Sequence, residues 1–296
     1  MNVRLRESAR FVALLALVVA GPLLAAATRE VRDDAGDPVT VSAAPCRIVS
    51  LAPGTTAMLY AAGAARCLVG TIAHSTEPAE AEKLPIVGDA ETLDFERLLG
   101  LRPTVVVVAV DVVQRVRIDR LRALGIPVYQ VHVTQLSGMP ESVRRLGALA
   151  GTQAVANHEA AELDTRLATL RARYRDRAAI RVLYQIWDRP IYTIGGKHVI
   201  TDALGLCGAT NIFADLDTAA PAVTREAAVL RNPELIIVSA PPGAADDWVA
   251  EWRRFPALAA VQKQHLVKYT DERIDRMGPS VIAATASLCA LVDQAR

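Results

Sequence analysis

Trp187 and Tyr192 fall in the stretch YQIWDRPIYTIGGK, at the end of the apolar run RVLYQ, in a chain whose aromatic content is only 4%. Two large aromatic faces in a polar loop after a strand fit a stacking platform for a flat ligand; the alternative is an edge of the core. His74, in TIAHSTEP after the short run CLVG, stands where α/β folds gather ligand contacts, beyond the carboxyl end of a strand. It reads either as a directional contact or as an ordinary loop residue. Asp111 follows TVVVVAV, Arg273 lies in TDERIDRMGP, and Pro53 opens the turn after RIVSL. Apolar faces with a few directional polar groups make a small-molecule site. Its expected walls are the loops after Leu51, Gly70, Ala109 and Gln185, together with residues 270–276.

Catalytic and metal signatures are thin. There is no Gly-x-Ser-x-Gly elbow and no paired-histidine metal motif,. Gly196-Lys197 lacks the glycine of a P-loop register, and His198 takes the Ser/Thr position,. Of the five histidines, His158 reads as solvated on a helix, while His132 and His265 bound strands and read as structural. The residues therefore favour binding over turnover, with an exported enzyme using His74 and nearby carboxylates as the lower-ranked reading. No resident metal or cofactor is expected.

Net charge is +1, which gives no basic footprint for nucleic acid,. Arg4, Arg6 and Arg10 precede the apolar run from Phe11 to Ala20, then Gly21-Pro22 and an Ala25-x-Ala27 ending. That order predicts a secretory signal peptide over 1–27, since about ten apolar residues are too few to span a bilayer. Export makes the four cysteines, Cys46, Cys67, Cys207 and Cys289, candidates for disulfides, with three connectivities open and free thiols as the alternative,.

Alternating strands and helices must position these groups. The hairpin VRDDAGDPVTV leads into strands at Arg47–Leu51, CLVG, Thr104–Ala109 and Pro127–Val131, with helices from Pro53 to Ala62 and around 94–101 and 114–124. Continuous apolar strands of this kind belong to a parallel sheet covered on both faces. The plan then repeats with strands IRVLYQ, ELIIVSA and HLVKY and helices over VITDALGLCG, 246–253 and 279–292. Between the halves, Ala156, Ala160, Leu163, Leu167, Leu170 and Tyr174 form a helical apolar stripe,. The expected division is 28–150, a bridging helix over 151–178, and 179–296.

ERLLGLRPTVVVV and EAAVLRNPELIIV state the same helix-to-strand step in each half. Glu96 and Glu226 thus hold matching places, which points to a docking pair as well as to favourable helix-dipole chemistry.

RIVSLAPGTTAMLYAAGA, LDFERLLGLRPTVVVV, LRALGIPVYQV, CGATNIFAD, VTREAAVLRNPELIIV and PSVIAATASLCALV together resemble the helical-backbone substrate-binding proteins of ABC importers for metal chelates, above all the corrinoid (vitamin B12-type) binders. The resemblance runs from about Arg47 to the end. It implies an α/β fold of two Rossmann-like lobes joined by one long rigid helix, with a ligand held between them. It implies a monomer that delivers a corrinoid, or alternatively haem or a ferric siderophore, to a permease and its ATPase. It implies that Glu96 and Glu226 meet the permease and that Cys207 and Cys289 are bridged. Cys46 and Cys67 lie outside that pattern, though they would join the starts of neighbouring strands. The family's cleft tryptophans are missing: Ala90, Val110, Ala220 and Arg273 stand at the corresponding places, beside Asp89, Glu91, Asp111, Glu272 and Arg276.

Overall fold

The computed structural model describes residues 28–42, 46–240, 243 and 245–296. The expected signal peptide over 1–27 lies outside them. The hairpin forms as expected from β1 (Thr28–Arg32) and β2 (Pro38–Ser42). The Asp33 carboxylate closes its turn by accepting the backbone N–H groups of Ala35 and Asp37,.

The first parallel sheet has the order β4-β3-β5-β6, from β3 (Ile48–Ser50), β4 (Leu68–Gly70), β5 (Val105–Ala109) and β6 (Val128–Val131). Its helices are α1 (Pro53–Ala61), α2 (Phe95–Gly100), α3 (Arg115–Ala123) and α4 (Gly138–Ala150). Gly151, left-handed at φ 79°, ends α4 before α5 (Gln153–Tyr174) begins,. The second sheet has β7 (Ile180–Trp187) and β11 (Leu235–Ser239) parallel at its centre and β12 (Leu266–Tyr269) beyond. On the other side β8 (Ile191–Thr193) and β10 (Ala222–Val223) run antiparallel, and β9 (Ala209–Asn211) also pairs with β7. Its helices are α6 (Val199–Leu206), α7 (Arg225–Arg231), α8 (Ala245–Trp252), α9 (Ala259–Gln262) and α10 (Val281–Asp293).

The sequence repeat is a structural repeat. β5 pairs with β3 as β11 pairs with β7, so α2 and α7 enter equivalent strands of the two sheets. Even the backbone agrees: Arg102 at φ 47° and Asn232 at φ 43° are both left-handed residues preceding a proline,.

In α5, Ala156, Ala160, Leu163, Leu167 and Tyr174 are buried and Leu170 is half-buried, as the stripe predicts. The helix touches α1 and α4 from one half and α6 and α10 from the other. One continuous apolar core therefore runs between the sheets, from Val39 to Ala295. Separate clusters back the outer faces, around Val106, Leu98 and Leu121 in the first half and Ile236, Phe213 and Trp252 in the second. Among the described residues, no helix is long and apolar enough to cross a membrane.

All four cysteines are paired. Cys46–Cys67 joins the entries of β3 and β4, and Cys207–Cys289 joins the end of α6 to α10. Their Cα–Cα separations of 5.1 Å and 4.8 Å sit within the ordinary disulfide range,.

Candidate functional site

The carboxyl ends of the parallel strands in both sheets converge on one open cleft of about 850 Å³, a place and size typical of small-molecule sites. Most of its wall is apolar, including Pro53, Val112, Val131, Met139, Ile186 and Trp187.

Each half sends in a few polar groups. His74 follows β4 in a left-handed conformation at φ 65°, uncommon for a residue with a Cβ,. A buried chain of hydroxyls holds its loop. Ser50 Oγ lies 2.7 Å from Thr55 Oγ1, and Thr56 Oγ1 donates to Ser50 at 2.9 Å. Thr56 and Thr71 stand 2.7 Å apart, and Thr71 donates to Ser75 at 2.8 Å. These residues tie β3, α1 and β4 to the residue beside His74. Sequence reading missed the network, although two adjacent threonines opening a helix after a strand-ending serine are its visible trace.

Asp111, beyond β5, pairs at the rim with His132 Nδ1 at 3.3 Å. Nearby, His198 is half-buried, and its Nδ1 accepts the Ile200 N–H to cap α6. Burial pushes its pKa down to about 4, opposed by the Asp111 charge,.

The far wall carries Glu272, Asp275 and Arg276. Arg276 donates to Glu272 at 3.2 Å, and Asp275 accepts from Ser239 Oγ at 3.2 Å. Burial raises the Asp275 pKa; repulsion from Glu272 and Asp271 adds to the rise, and the Ser239 hydrogen bond opposes it.

Contacts between the two halves flank the cleft. The Glu77 carboxylate accepts from Ser280 Oγ at 2.8 Å, and Asp202 accepts the Leu136 N–H at 2.8 Å. At Gly54, a Cβ would lie 2.5 Å from the Arg276 carbonyl oxygen and 2.6 Å from that of Met277. Only glycine permits that approach.

Pro53, His74, Asp111 and Trp187 therefore share the cleft. Two other expected residues stand apart from it. Arg273 is turned away and held by Asp271, which accepts from its Nε at 2.7 Å and its Nη2 at 2.6 Å. The tight 3₁₀ turn Glu272–Ile274 sends Ile274 into the core and leaves Glu272 on the cleft side. Tyr192 is not in a loop but in β8, paired with β7 and β10 and outside the cleft wall. Trp187, the last residue of β7, is 51% exposed and meets Trp248 edge-on at 5.9 Å.

Glu96 and Glu226 lie away from the cleft, each in the first turn of a side-chain-capped helix. Asp94 accepts the Arg97 N–H and Thr224 accepts the Ala227 N–H,. Both glutamates are exposed, and neither enters an ion pair or side-chain hydrogen bond among the described residues.

Comparison with known proteins agrees with this geometry. A vitamin B12-binding protein of Yersinia pestis (strain Pestoides F) is 30% identical over 243 residues, covering 82% of this chain and 85% of its own length. The crystal structure of the periplasmic vitamin B12-binding protein BtuF of Vibrio cholerae superposes with a TM-score of 0.77 at 29% identity, over 84% of this chain and 97% of that one. The periplasmic haem-binding protein RhuT from Roseiflexus sp. RS-1 shares the fold with a TM-score of 0.72 at 21% identity, over 84% and 99% of the two chains. The periplasmic binding protein family model matches residues 48–273, and with the two-sheet architecture and shared cleft this chain belongs to that family.

Proposed function

We propose that this protein captures a corrinoid in the cleft between its two sheets and delivers it to the permease of an ABC importer. The observation that carries the reading is the open, mostly apolar cleft at the convergent strand ends, with Trp187 presenting a half-exposed ring into it. The corrinoid is favoured by relatives that are vitamin B12-binding proteins, 30% and 29% identical to this chain. The role is binding and transfer, not turnover. It takes place in the periplasm after removal of residues 1–27, with the protein acting as a monomer.

In this reading Pro53 and Trp187 pack against the macrocycle, while His74 and Asp111 contact its polar fringe. Glu96 and Glu226 meet basic groups of the permease, one from each half, leaving the cleft free to open towards it. Unpaired, exposed carboxylates on equivalent helices support the assignment, because rim charges govern encounter and register.

A haem or ferric chelate is the second reading, favoured by His74, an exposed imidazole on the cleft wall. Calorimetry with cyanocobalamin, cobinamide, haemin and a ferric siderophore tests both. Tightest binding of a corrinoid is the expected result. Binding of haemin alone, with a shifted Soret band lost in His74→Ala, would replace the corrinoid with haem.

A further inference from the structure

We propose that the cleft selects its macrocycle by charge, admitting a neutral or cationic, amide-fringed metal chelate and rejecting one fringed by carboxylates. This rests on the macrocycle reading above and names the feature of the ligand that the walls discriminate.

Three carboxylates face the cleft, Asp111 from the first half and Glu272 and Asp275 from the second, against one guanidinium, Arg276. That guanidinium is already engaged by Glu272 at 3.2 Å. The other nearby arginine, Arg273, is neutralised by Asp271 and stands outside the wall. Among the described residues, Asp111 and Asp275 are left without a cationic side chain of lysine or arginine; their partners are the His132 imidazole and the Ser239 hydroxyl. His74 on the wall, the half-buried His198 near Asp111, and the buried Tyr184 and Tyr269 near Asp275 are further titratable groups here, and none is a fixed cation. The first turn of α1, which lines the cleft through Pro53, Gly54 and Thr55, contributes only about half a positive charge. The field on the far wall has the sign this count predicts: Glu272 and Asp271 both oppose ionisation of Asp275.

Carboxylates accept hydrogen bonds and donate none when ionised. Amide N–H groups and a cationic metal centre complement such walls. A ligand carboxylate brought against Asp111 or Asp275 meets like charge at short range in a partly desolvated cleft. Two unit charges within roughly 8 Å there repel by at least one tenfold step in affinity. Haem carries two propionates, whereas a corrin fringe is mostly carboxamide, so the same walls separate the two ligand classes.

The test compares cyanocobalamin with its monocarboxylic acids, in which one peripheral carboxamide is hydrolysed to a carboxylate of nearly the same shape. Calorimetry at pH 8, above the ordinary imidazole range, uses the unmodified protein, Asp111→Asn, and Asp111→Asn/Glu272→Gln. The acids should bind the unmodified protein about tenfold more weakly than the parent, and the double variant should close most of that gap. Acids that bind as tightly as the parent, or a gap that persists in the double variant, would overturn charge selection while leaving corrinoid capture intact. If the double variant does not fold, Asp111→Asn alone must narrow the gap by about threefold or the proposal fails. Absence of cyanocobalamin binding to the unmodified protein would overturn the corrinoid reading and this proposal with it.

Discussion

Trp187 presents a ring that is 51% exposed, braced on its edge by Trp248. Covering about 100 Å² of it with a macrocycle is worth roughly 2 kcal/mol. Trp187→Ala should therefore weaken corrinoid binding about thirtyfold by calorimetry, while Tyr192→Ala, outside the wall, should change it less than threefold. Equal losses would mean that the ligand extends over β8. His198 makes a different prediction. Its folded pKa of about 4 lies below the ordinary imidazole value, so between the two the unfolded chain binds the extra proton. Stability should be full above pH 6.5, fall as pH drops towards about 4, and level off below it, a change of order 3 kcal/mol. His198→Asn, which keeps a side-chain acceptor for the α6 cap, should flatten that interval in urea titrations. A fall of the same size in the variant would assign the slope to ion-paired carboxylates outside the cleft wall, such as Asp271, whose pKa is held down by its hydrogen bonds from Arg273,. At this scale the sequence was legible where a group follows a long apolar strand, as Asp111 and Trp187 do. It named 270–276 as a wall, and Glu272, Asp275 and Arg276 line the cleft, but an irregular 3₁₀ turn has no period from which to tell Arg273 from Arg276.

The capped helices α2 and α7 show which elements could be read and why. Their phrases combine a cap, a short apolar face, a left-handed residue before proline and a β-branched run. Each signal supports the same boundary, so α2 falls within a residue of the expected 94–101, and α7 lies where the repeated phrase begins,. β8, β9 and β10, at two or three residues each, are too short to show alternation,. β8 and β9 form because β7 leaves the edge opposite β11 open for pairing, and β10 because β8 is there to pair with, a tertiary cause that no local pattern records. That is why Tyr192 was expected in a loop. The exposed glutamates on α2 and α7 carry the element-scale prediction. Glu96→Lys/Glu226→Lys should abolish uptake in reconstituted vesicles, leave corrinoid affinity within twofold, and shift the melting temperature little, since surface charges contribute about 0–1 kcal/mol. A large loss of affinity in solution would remove these residues from docking and return them to the ligand.

Across the whole molecule, α5 and the shared core make the two sheets parts of one packed body, and the cleft is correspondingly preformed. Both disulfides fasten elements of that body. Cys207–Cys289 encloses a sequence separation of 82 and Cys46–Cys67 one of 21, so chain entropy assigns them roughly 4 and 3 kcal/mol. Denaturant titration of the two double-alanine variants should reproduce that order. The preformed cleft itself is tested at Gly54, where the first turn of α1 meets the backbone of 276–277. Gly54→Ala places a methyl group 2.5 Å from one carbonyl oxygen and 2.6 Å from a second. Neither can swing aside as a flexible side chain would, so the segments must separate. Overpacking of this kind costs about 1–3 kcal/mol. Because the same residues line the cleft, its width must change with them. The variant should melt several degrees lower and bind corrinoid at least about tenfold more weakly. Gly100→Ala is the control: it sits in α2, a Cβ there meets nothing within 4 Å, and it should hold or raise stability by up to about 1 kcal/mol. Wild-type affinity in Gly54→Ala, with only stability reduced, would show that the ligand tolerates a wider cleft and that α1 and 276–277 do not set its grip.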